Sequence, residues 1–585
     1  MTEIKKSFFP QLNVFNKENY SINSRTDSSS NVSTFNSKQE NEQNMITSLD
    51  KGNKKIGLLS CIGLICNRMV GCGIFATPSS VYTMSGSIGL ALIIWACGAI
   101  IALAGMYVYM EFGTAIPRNG GEKNYLEYIF QKPKFLVTSC YASYIFFLGW
   151  AAGNSVNCAI MFLTAGNVEI TEWNQRGVGV AVIGFCFLVN AINVKAGIYL
   201  QNVLGIFKIG IVIFISITGW VALGGGLPNH YKTNNFHNAF EGTKNTTAYG
   251  IVNALYNVIW SFIGYSNVNY ALGEVKNPVR TLKIAGPTSL IFIAIIYIFC
   301  NIAYFAVVPK EKLVSSKLIL AADFFDLAFG GRAKQAASVF VGLSALGNVL
   351  SVIFAQGRII QQLGREGVLP FSSFFATSKP FNSPTIGLFQ HFIVCLVTII
   401  APPPGDAYNF ILNLVSYPMN IINFCISGGL LYIYIQKKRG IIEWNPPIRA
   451  GYFITTFFML ANLYLIIAPY VPPTAGDSIY ESMPYWIHCV VAWGVFAFGG
   501  LYWVIWYVVL PKIGGYDLID TEVLGDDGFW RKKIVKKYKN EETTEVNINE
   551  TSVEYVDQNE NVNSNYDNTI KKDTDKIINT TEIIN

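Results

Sequence analysis

Two glycines and an arginine lie in the middle of a long apolar segment near the start of the chain. The segment covers residues 57–80, and its centre reads GLICNRMVGCGIF, with Gly71 and Gly73 about one turn after Arg68. Glycine weakens a helix, and a charge at this depth in a membrane faces protein or a water-filled cavity. A helix broken here exposes unpaired N–H groups and carbonyls. Close packing of glycines against another helix is the alternative interpretation.

A second interruption occurs in a later apolar segment, residues 248–272. Its middle, WSFIGYSN, is again polar and contains a glycine. The two segments are the first and the sixth of the chain, so each opens a set of five. Interrupted helices in matching positions of two halves indicate a transporter with its site at the bilayer midplane. Because a packing glycine explains one break but not the match, we predict a transporter rather than a channel, receptor or enzyme.

The composition requires a membrane protein around these two breaks. The chain has 585 residues, of which 51% are hydrophobic and 14% aromatic, and its mean hydropathy is +0.35. A membrane-spanning helix needs about 20 mostly apolar residues. The net charge of +6 does not indicate nucleic-acid binding, because the Lys and Arg residues form no basic face. Twelve spans are predicted near residues 57–80, 88–112, 136–163, 177–194, 199–222, 248–272, 284–308, 335–357, 386–401, 408–435, 450–470 and 485–510.

The distribution of basic residues predicts the orientation. Twelve spans place both tails on one side of the membrane, and three of the opposite loops, 81–87, 402–407 and 471–484, contain no Lys or Arg. The positive-inside rule therefore places both termini in the cytosol. The lysine-containing loop 309–334 departs from this rule, and its pattern KLILAADFFDLAF predicts an amphipathic external helix.

The two tails are polar. Residues 1–56 are predicted to be a disordered cytosolic tail, residues 57–510 the helical core, and residues 511–585 a cytosolic C-terminal tail. Within the second tail, the segment 517–531 (DLIDTEVLGDDGFWR) carries Leu, Val, Phe and Trp side chains. It is predicted either to lie on the membrane surface or to plug the cytoplasmic face of the bundle.

The cysteines predict neither a metal site nor a disulfide framework. None has CxxC spacing, and all lie within or beside apolar segments, which is typical of small hydrophobic side chains. Cys72 is the possible exception because it lies at the first break. The eleven are Cys61, Cys66, Cys72, Cys97, Cys140, Cys158, Cys186, Cys300, Cys395, Cys425 and Cys489.

Several motifs carry a family resemblance. They are GCGIF, YMEFGTAIPRNGGEKNYLE and GEVKNPVRTLKIAGP, together with NVFNKENY, PYVPPTAGDSIY and LGDDGFWR. The chain resembles the L-type branch of the amino acid–polyamine–organocation superfamily, and within it the fungal high-affinity methionine permeases. The resemblance implies an all-α polytopic membrane protein whose twelve helices form a five-plus-five inverted repeat with helices 1 and 6 broken. It also implies a plasma-membrane permease for L-methionine or a similar small apolar amino acid, coupled to protons and surrounded by lipid, without a cofactor.

The resemblance implies that the two breaks bind a zwitterionic amino acid. The N–H groups of Cys72 and Gly73 would bind the carboxylate, while the carbonyls of Met69, Trp260 and Ile263 would bind the ammonium. Trp260 is either an aromatic gate or a packing residue, and Ile263 would narrow the side-chain pocket. The predicted substrate-binding residues are Met69, Val70, Gly71, Cys72, Gly73, Trp260, Ser261, Phe262 and Ile263.

Three further residues are candidates for coupling. Lys208 lies within the fifth span, too deep for its amine to reach water easily. Burial disfavours a charged ammonium, and the resemblance places this lysine where sodium-coupled relatives hold a cation. Lys208 is thus either a proton carrier or a structural lysine bonded to span-1 carbonyls. Arg68 is either a cytoplasmic gate or part of an ion pair, and Asn348 is expected beside Lys208 by analogy of fold.

Other polar residues are predicted to be structural. Glu111 and Glu274 lie at span ends and are expected to organise loops, and His391 and His488 are assigned no role. The loop TAGNVEITEWNQRG contains no cysteine, which argues against a disulfide-linked heavy chain. An exchanger of the same fold and a non-transporting nutrient receptor remain alternatives. An enzyme is not expected, since the intramembrane residues include no nucleophile–base pair.

Overall fold

The structure, a computed structural model, describes residues 56–227, 233–379, 381–473, 478–524 and 530–538 of the 585-residue chain. The predicted disordered tail 1–56 lies, apart from Ile56, outside the described residues. The helices of the first half are α1 (Leu58–Met69), α2 (Gly73–Ser85), α3 (Ile88–Ala115), α4 (Glu122–Ile129), α5 (Leu136–Phe147), α6 (Ala152–Ala165), α7 (Glu172–Ile192), α8 (Val194–Leu223) and, after a short 3₁₀ turn at Thr243–Asn245, α9 (Ala248–Phe262).

The second half begins with a 3₁₀ segment, Asn267–Glu274, and two further 3₁₀ turns are Lys317–Ile319 and Ala468–Tyr470. Its helices are α10 (Pro278–Val307), α11 (Lys310–Ser315), α12 (Leu320–Phe329), α13 (Gly331–Arg365), α14 (Ser372–Ala376), α15 (Thr385–Ile400), α16 (Pro404–Lys438), α17 (Gly451–Ile467), α18 (Ile487–Trp503) and α19 (Leu510–Gly514), with a π-helical segment at Val504–Val509. Two strands follow, β1 (Tyr516–Leu524) and β2 (Trp530–Tyr538).

Each predicted span overlaps one of these helices or a broken pair, and the fold is that of a polytopic all-α membrane protein. Among the described residues, nine helices are long and apolar enough to cross a membrane, or ten if α1 and α2 form one bent span. The other two predicted spans correspond to α9, with 15 residues, and α15, with 16. Both are shorter than about 20 residues, so the count of twelve stays a prediction.

The two interrupted helices meet at the centre of the bundle. Helix α2 packs against α9, and α1 packs against α10. A buried aromatic cluster supports the contact, with the Tyr297 ring centroid 5.2 Å from that of Phe262 and 5.8 Å from that of Trp95. Such edge-on and tilted ring pairs stabilise a core beyond the area they bury. The breaks are therefore held within rigid packing.

The lysine-containing loop between α10 and α13 is helical, as predicted. Its apolar face is buried at Leu320 and Phe324. Lys334 Nζ lies 2.9 Å from Asp323 Oδ1, and Lys312 Nζ lies 3.8 Å from Asp326 Oδ2. Acidic side chains of the same loop therefore lie within ion-pair distance of these two lysines.

Glu111 holds a loop to the end of α3. One carboxylate oxygen accepts hydrogen bonds from the Ala450 backbone N–H at 2.7 Å and from the Tyr434 hydroxyl, and the other accepts from Trp444 Nε1 at 2.8 Å. All three donors belong to the loop between α16 and α17 or to its borders. The loop-organising role expected of Glu111 agrees with these contacts.

Glu274 acts through its backbone. Its carbonyl accepts the N–H of Ile56 at 3.1 Å, and Ile56 pairs with Val275 as an isolated parallel bridge. This bridge joins the residues just before α1 to the end of the 3₁₀ segment after α9. Backbone hydrogen bonds thereby join the start of the first broken span to the end of the second.

The C-terminal tail contains a β-hairpin that the sequence did not predict. Strands β1 and β2 pair, and the described part of the predicted segment 517–531 covers residues 517–524 of β1 and 530–531 of β2. The Ile534 N–H donates to the Glu366 carbonyl at 2.9 Å, at the end of α13. The second strand, WRKKIVKKY, is mostly basic and carries no strict alternation of apolar and polar residues. Whether this segment plugs the cytoplasmic face stays a prediction.

Candidate functional site

The first break lies between α1 and α2. Helix α1 ends at Met69, Val70 is extended with ψ of 92°, and α2 begins at Gly73 after a bend of 45°. Since Gly73 opens α2, its N–H has no partner within the helix. A Cβ on Gly73 would lie 2.9 Å from the Ser261 Cα. Only glycine lets the two broken helices approach this closely.

The second break follows α9. Ile263 is extended with ψ of 127°, and Gly264 has φ of +127°, a conformation that side chains rarely adopt. A Cβ on Gly264 would also lie 2.5 Å from the Arg68 Cγ. The inner ends of the two breaks are thus in direct contact, Arg68 over Gly264. The prediction of a helix interruption at both positions is confirmed.

Tyr297 of α10 connects the two breaks. Its hydroxyl lies 3.0 Å from the Met69 carbonyl oxygen and 3.2 Å from the Ser261 carbonyl oxygen, so its one hydrogen is shared between the two acceptors. These carbonyls have lost their helical partners because the helices end here. Tyr297 was not among the predicted site residues, since it lies in an unremarkable apolar run.

A cavity of about 360 Å³, including space open to solvent, lies between the breaks. It is lined by Arg68, Met69, Gly71, Cys72, Gly73, Trp150, Asn154, Trp260, Ser261, Ile263 and Asn348. Seven of the nine predicted substrate-binding residues are in this lining. Val70 and Phe262 are not, and both are buried in the surrounding core. Trp150 and Asn154, which precede or open α6, were missed.

The polar groups of Gly71 and Cys72 at the first break are already hydrogen-bonded. The Cys72 N–H donates to Asn154 Oδ1 at 3.1 Å, and the Cys72 thiol lies 3.4 Å from the Tyr408 hydroxyl. The Gly71 N–H turns back to the Met69 carbonyl at 2.9 Å. The backbone N–H of Cys72 at the break is therefore already hydrogen-bonded to a neutral side-chain acceptor.

Trp260 forms part of the cavity wall. A Cβ on Gly153 of α6 would lie 3.3 Å from the Trp260 ring, so the indole lies close to the α6 backbone. The Trp260 carbonyl accepts only a long hydrogen bond, 3.3 Å, from the Ile263 N–H. A carbonyl so weakly engaged can accept a further donor.

Lys208 is fully buried and lies outside the cavity lining. Its ammonium donates to the Asn67 carbonyl in the last turn of α1. This contact matches the expectation of a lysine bonded to span-1 carbonyls. It does not by itself decide between a structural lysine and a proton carrier.

Arg68 and Asn348 bond to each other. Arg68 Nη1 donates to Asn348 Oδ1 at 3.4 Å, and Asn348 Nδ2 donates to the Arg68 carbonyl at 3.3 Å. Asn348 was expected beside Lys208, but its hydrogen bonds in the described structure go to Arg68. Within the described residues no carboxylate pairs with Arg68, so the ion pair considered for it is not seen there.

His391 and His488 lie outside the cavity lining. His391 Nε2 is 3.4 Å from the Cys395 thiol, and His488 Nδ1 is 3.2 Å from the Tyr480 hydroxyl.

A buried carboxylate, Glu122 on α4, was missed. It accepts from Tyr109 at 3.1 Å and from Tyr141 at 3.2 Å. Burial raises the pKa of this loop carboxyl, and hydrogen bonds from tyrosines partly oppose the rise.

Comparisons with known proteins agree with this architecture. The family model described as "Amino acid permease" matches residues 56–495. A high-affinity methionine permease of Saccharomyces cerevisiae is 72% identical over 539 residues, which cover 91% of this chain and 94% of the relative. The low-affinity methionine permease of that species is 29% identical, covering 83% of the chain and 88% of the relative. The b(0,+)-type amino acid transporter 1 of Mus musculus is 31% identical, covering 73% and 85%. With these matches, two broken helices and a cavity between them, the chain belongs to the amino acid permease family.

Proposed function

We propose that this permease carries L-methionine into the cell across the plasma membrane with high affinity, coupled to protons, by alternating access. The observation that carries the proposal is the 72% identity to a high-affinity methionine permease over nearly the whole chain. The cavity between the two broken helices is where such a substrate would bind.

The backbone at the breaks supplies both kinds of polar partner that a zwitterion needs. Gly73 and Cys72 offer N–H groups at the positive end of α2 for the carboxylate. The Trp260 carbonyl would accept from the ammonium, and the Met69 carbonyl would do so in place of the Gly71 N–H or the Tyr297 hydroxyl that it now accepts. Leaving water costs a charged group several kcal/mol unless it is paired, so both ends must be bound together.

The side-chain part of the cavity suits an unbranched chain. Ile263 is bulkier than glycine and narrows the space beside the indoles of Trp150 and Trp260. A thioether is flexible and makes favourable contacts with aromatic rings, worth about 0.3–1.5 kcal/mol each. We therefore propose that methionine is preferred over β-branched amino acids.

Coupling is assigned to Lys208, together with Arg68 of α1 and Asn348 of α13. The Lys208 ammonium bonds the Asn67 carbonyl, one residue before Arg68. Protonation of Lys208 adds a positive charge beside the end of α1, and deprotonation leaves a neutral amine that can still donate an N–H. A protonation difference between conformations would bias their equilibrium, which is what coupling requires.

Radiolabelled uptake into liposomes tests the function. Net uptake of methionine should exceed that of valine and isoleucine, and an inward proton gradient should drive accumulation above the external concentration. One pH unit is worth about 1.4 kcal/mol per proton, or about tenfold accumulation at one proton per substrate. Uptake only into liposomes preloaded with amino acid would identify an exchanger, and binding without any flux a receptor.

We propose that both termini are cytosolic, and a glycosylation experiment tests this orientation. Asn245 is an exposed residue in the sequon Asn245-Thr246-Thr247, which lies in the proposed external loop before α9. Sequons at Asn31, Asn549 and Asn579 lie in the proposed cytosolic tails, outside the described residues. We expect a glycosidase-sensitive shift in mobility that Asn245→Gln abolishes. A glycan on any of the tail sequons would reverse the proposed orientation.

A further inference from the structure

Asn154 occupies the place that a substrate carboxylate would need. It lies on α6, 82 residues from Cys72 in sequence, and its Oδ1 accepts the Cys72 N–H at 3.1 Å. The side chain is buried, with only 5% of the residue exposed, and it lines the cavity. The amide oxygen is therefore a protein-supplied acceptor at the anion-binding end of the broken helix.

The same amide lies against the break itself. A Cβ on Gly71 would be 3.2 Å from Asn154 Oδ1 and 3.0 Å from Asn348 Nδ2. The glycine thus leaves room for two amide groups that contact the interrupted backbone from neighbouring helices. Asn348 is hydrogen-bonded to Arg68, whereas the oxygen of Asn154 accepts the Cys72 N–H.

Hydrogen-bond strength decides which ligand groups can displace the Asn154 amide oxygen from the Cys72 N–H. A carboxylate accepts an N–H about twice as strongly as a neutral acceptor, so it can displace the amide oxygen with a net gain. A hydroxyl in the same position would only exchange one neutral acceptor for another. A molecule without any acceptor would leave the N–H as it is and gain nothing there.

We propose that Asn154 is a positioning residue, whose amide oxygen holds the Cys72 N–H in the empty site and is displaced when a ligand carboxylate binds there. This inference rests on the proposed function, because it assumes that methionine binds at the breaks.

Asn154→Asp tests the proposal by placing a permanent anion where the carboxylate binds. Purified full-length protein is titrated with L-methionine and with 3-(methylthio)propylamine, the analogue that lacks the carboxylate, and binding is followed by thermal stabilisation. The parent should bind methionine and not the amine. In Asn154→Asp, methionine affinity should fall at least 100-fold, while the amine should bind measurably. Retained methionine affinity would overturn the proposal.

Asn154→Ala provides an independent measurement if the charged variant does not fold. Removing the competing acceptor should raise methionine affinity by up to about tenfold, because the substrate carboxylate no longer has to displace an amide from the Cys72 N–H. The affinity for 3-(methylthio)propylamine, which has no oxygen to take that place, should not rise. An unchanged or lower methionine affinity in folded Asn154→Ala would contradict the role. If the parent itself does not bind methionine, the proposed function fails instead.

Discussion

Gly73→Val should reduce methionine binding at least 100-fold. Two effects combine: the side chain at the first turn of α2 blocks approach of the carboxylate to the backbone N–H groups, and its Cβ meets the Ser261 Cα, 2.9 Å away in the present packing. Losing one charge-assisted hydrogen bond costs about 1.5–3 kcal/mol, or one to two decades in affinity. The measurement is methionine binding to purified protein by thermal stabilisation or radioligand titration.

A glycine elsewhere in the same span provides the control. Gly63 of α1 has open space where a Cβ would lie, with no atom within 4 Å. Gly63→Val should therefore leave binding near the parental level, since it tests only the presence of a bulky residue in the span. Folding of both variants is checked by size-exclusion profile and thermal unfolding. Normal methionine binding by folded Gly73→Val would show that the broken helix is not the binding site.

Lys208→Ala should abolish accumulation driven by a pH gradient while leaving methionine binding within tenfold. The lysine lies outside the cavity lining and bonds the Asn67 carbonyl, so the backbone groups that hold the zwitterion remain. Without the titrating amine, a protonation difference can no longer bias one conformation. The readout is methionine uptake into liposomes at equal and unequal pH, where the accumulation ratio should fall to about one.

Lys208→Met is the matched control for packing. It keeps most of the volume of the buried stem, whereas alanine leaves a cavity that costs stability. If Lys208 carries the proton, both variants should lose gradient-driven accumulation equally. If Lys208 only braces α1 against α8, Lys208→Ala should be poorly folded and surviving protein should keep its proton dependence. Parental accumulation in either variant would direct attention to Arg68 or to Glu122.

Local sequence alone was enough to locate the two interrupted helices. Glycine and polar residues within runs of apolar residues are read directly from the chain, since lipid leaves few other reasons to interrupt a helix. The same local reasoning predicted the helix in KLILAADFFDLAF and the loop role of Glu111 at a span end. In each case the controlling interaction lies within one or two turns or follows from a span boundary.

Tertiary structure decided which polar groups meet at the breaks. Asn154 reaches Cys72 from 82 residues away, and Tyr297 reaches Met69 from 228 residues away. Whether a residue faces the cavity depends on the rotation of its helix, which is set by packing against neighbours that periodicity does not identify. Asn348 is a further example, because its hydrogen bonds to Arg68 join residues 280 positions apart in the sequence. The hairpin in the tail was missed for another reason: its strands are close in sequence, but DLIDTEVL and WRKKIVKKY lack the strict apolar–polar alternation that marks a strand.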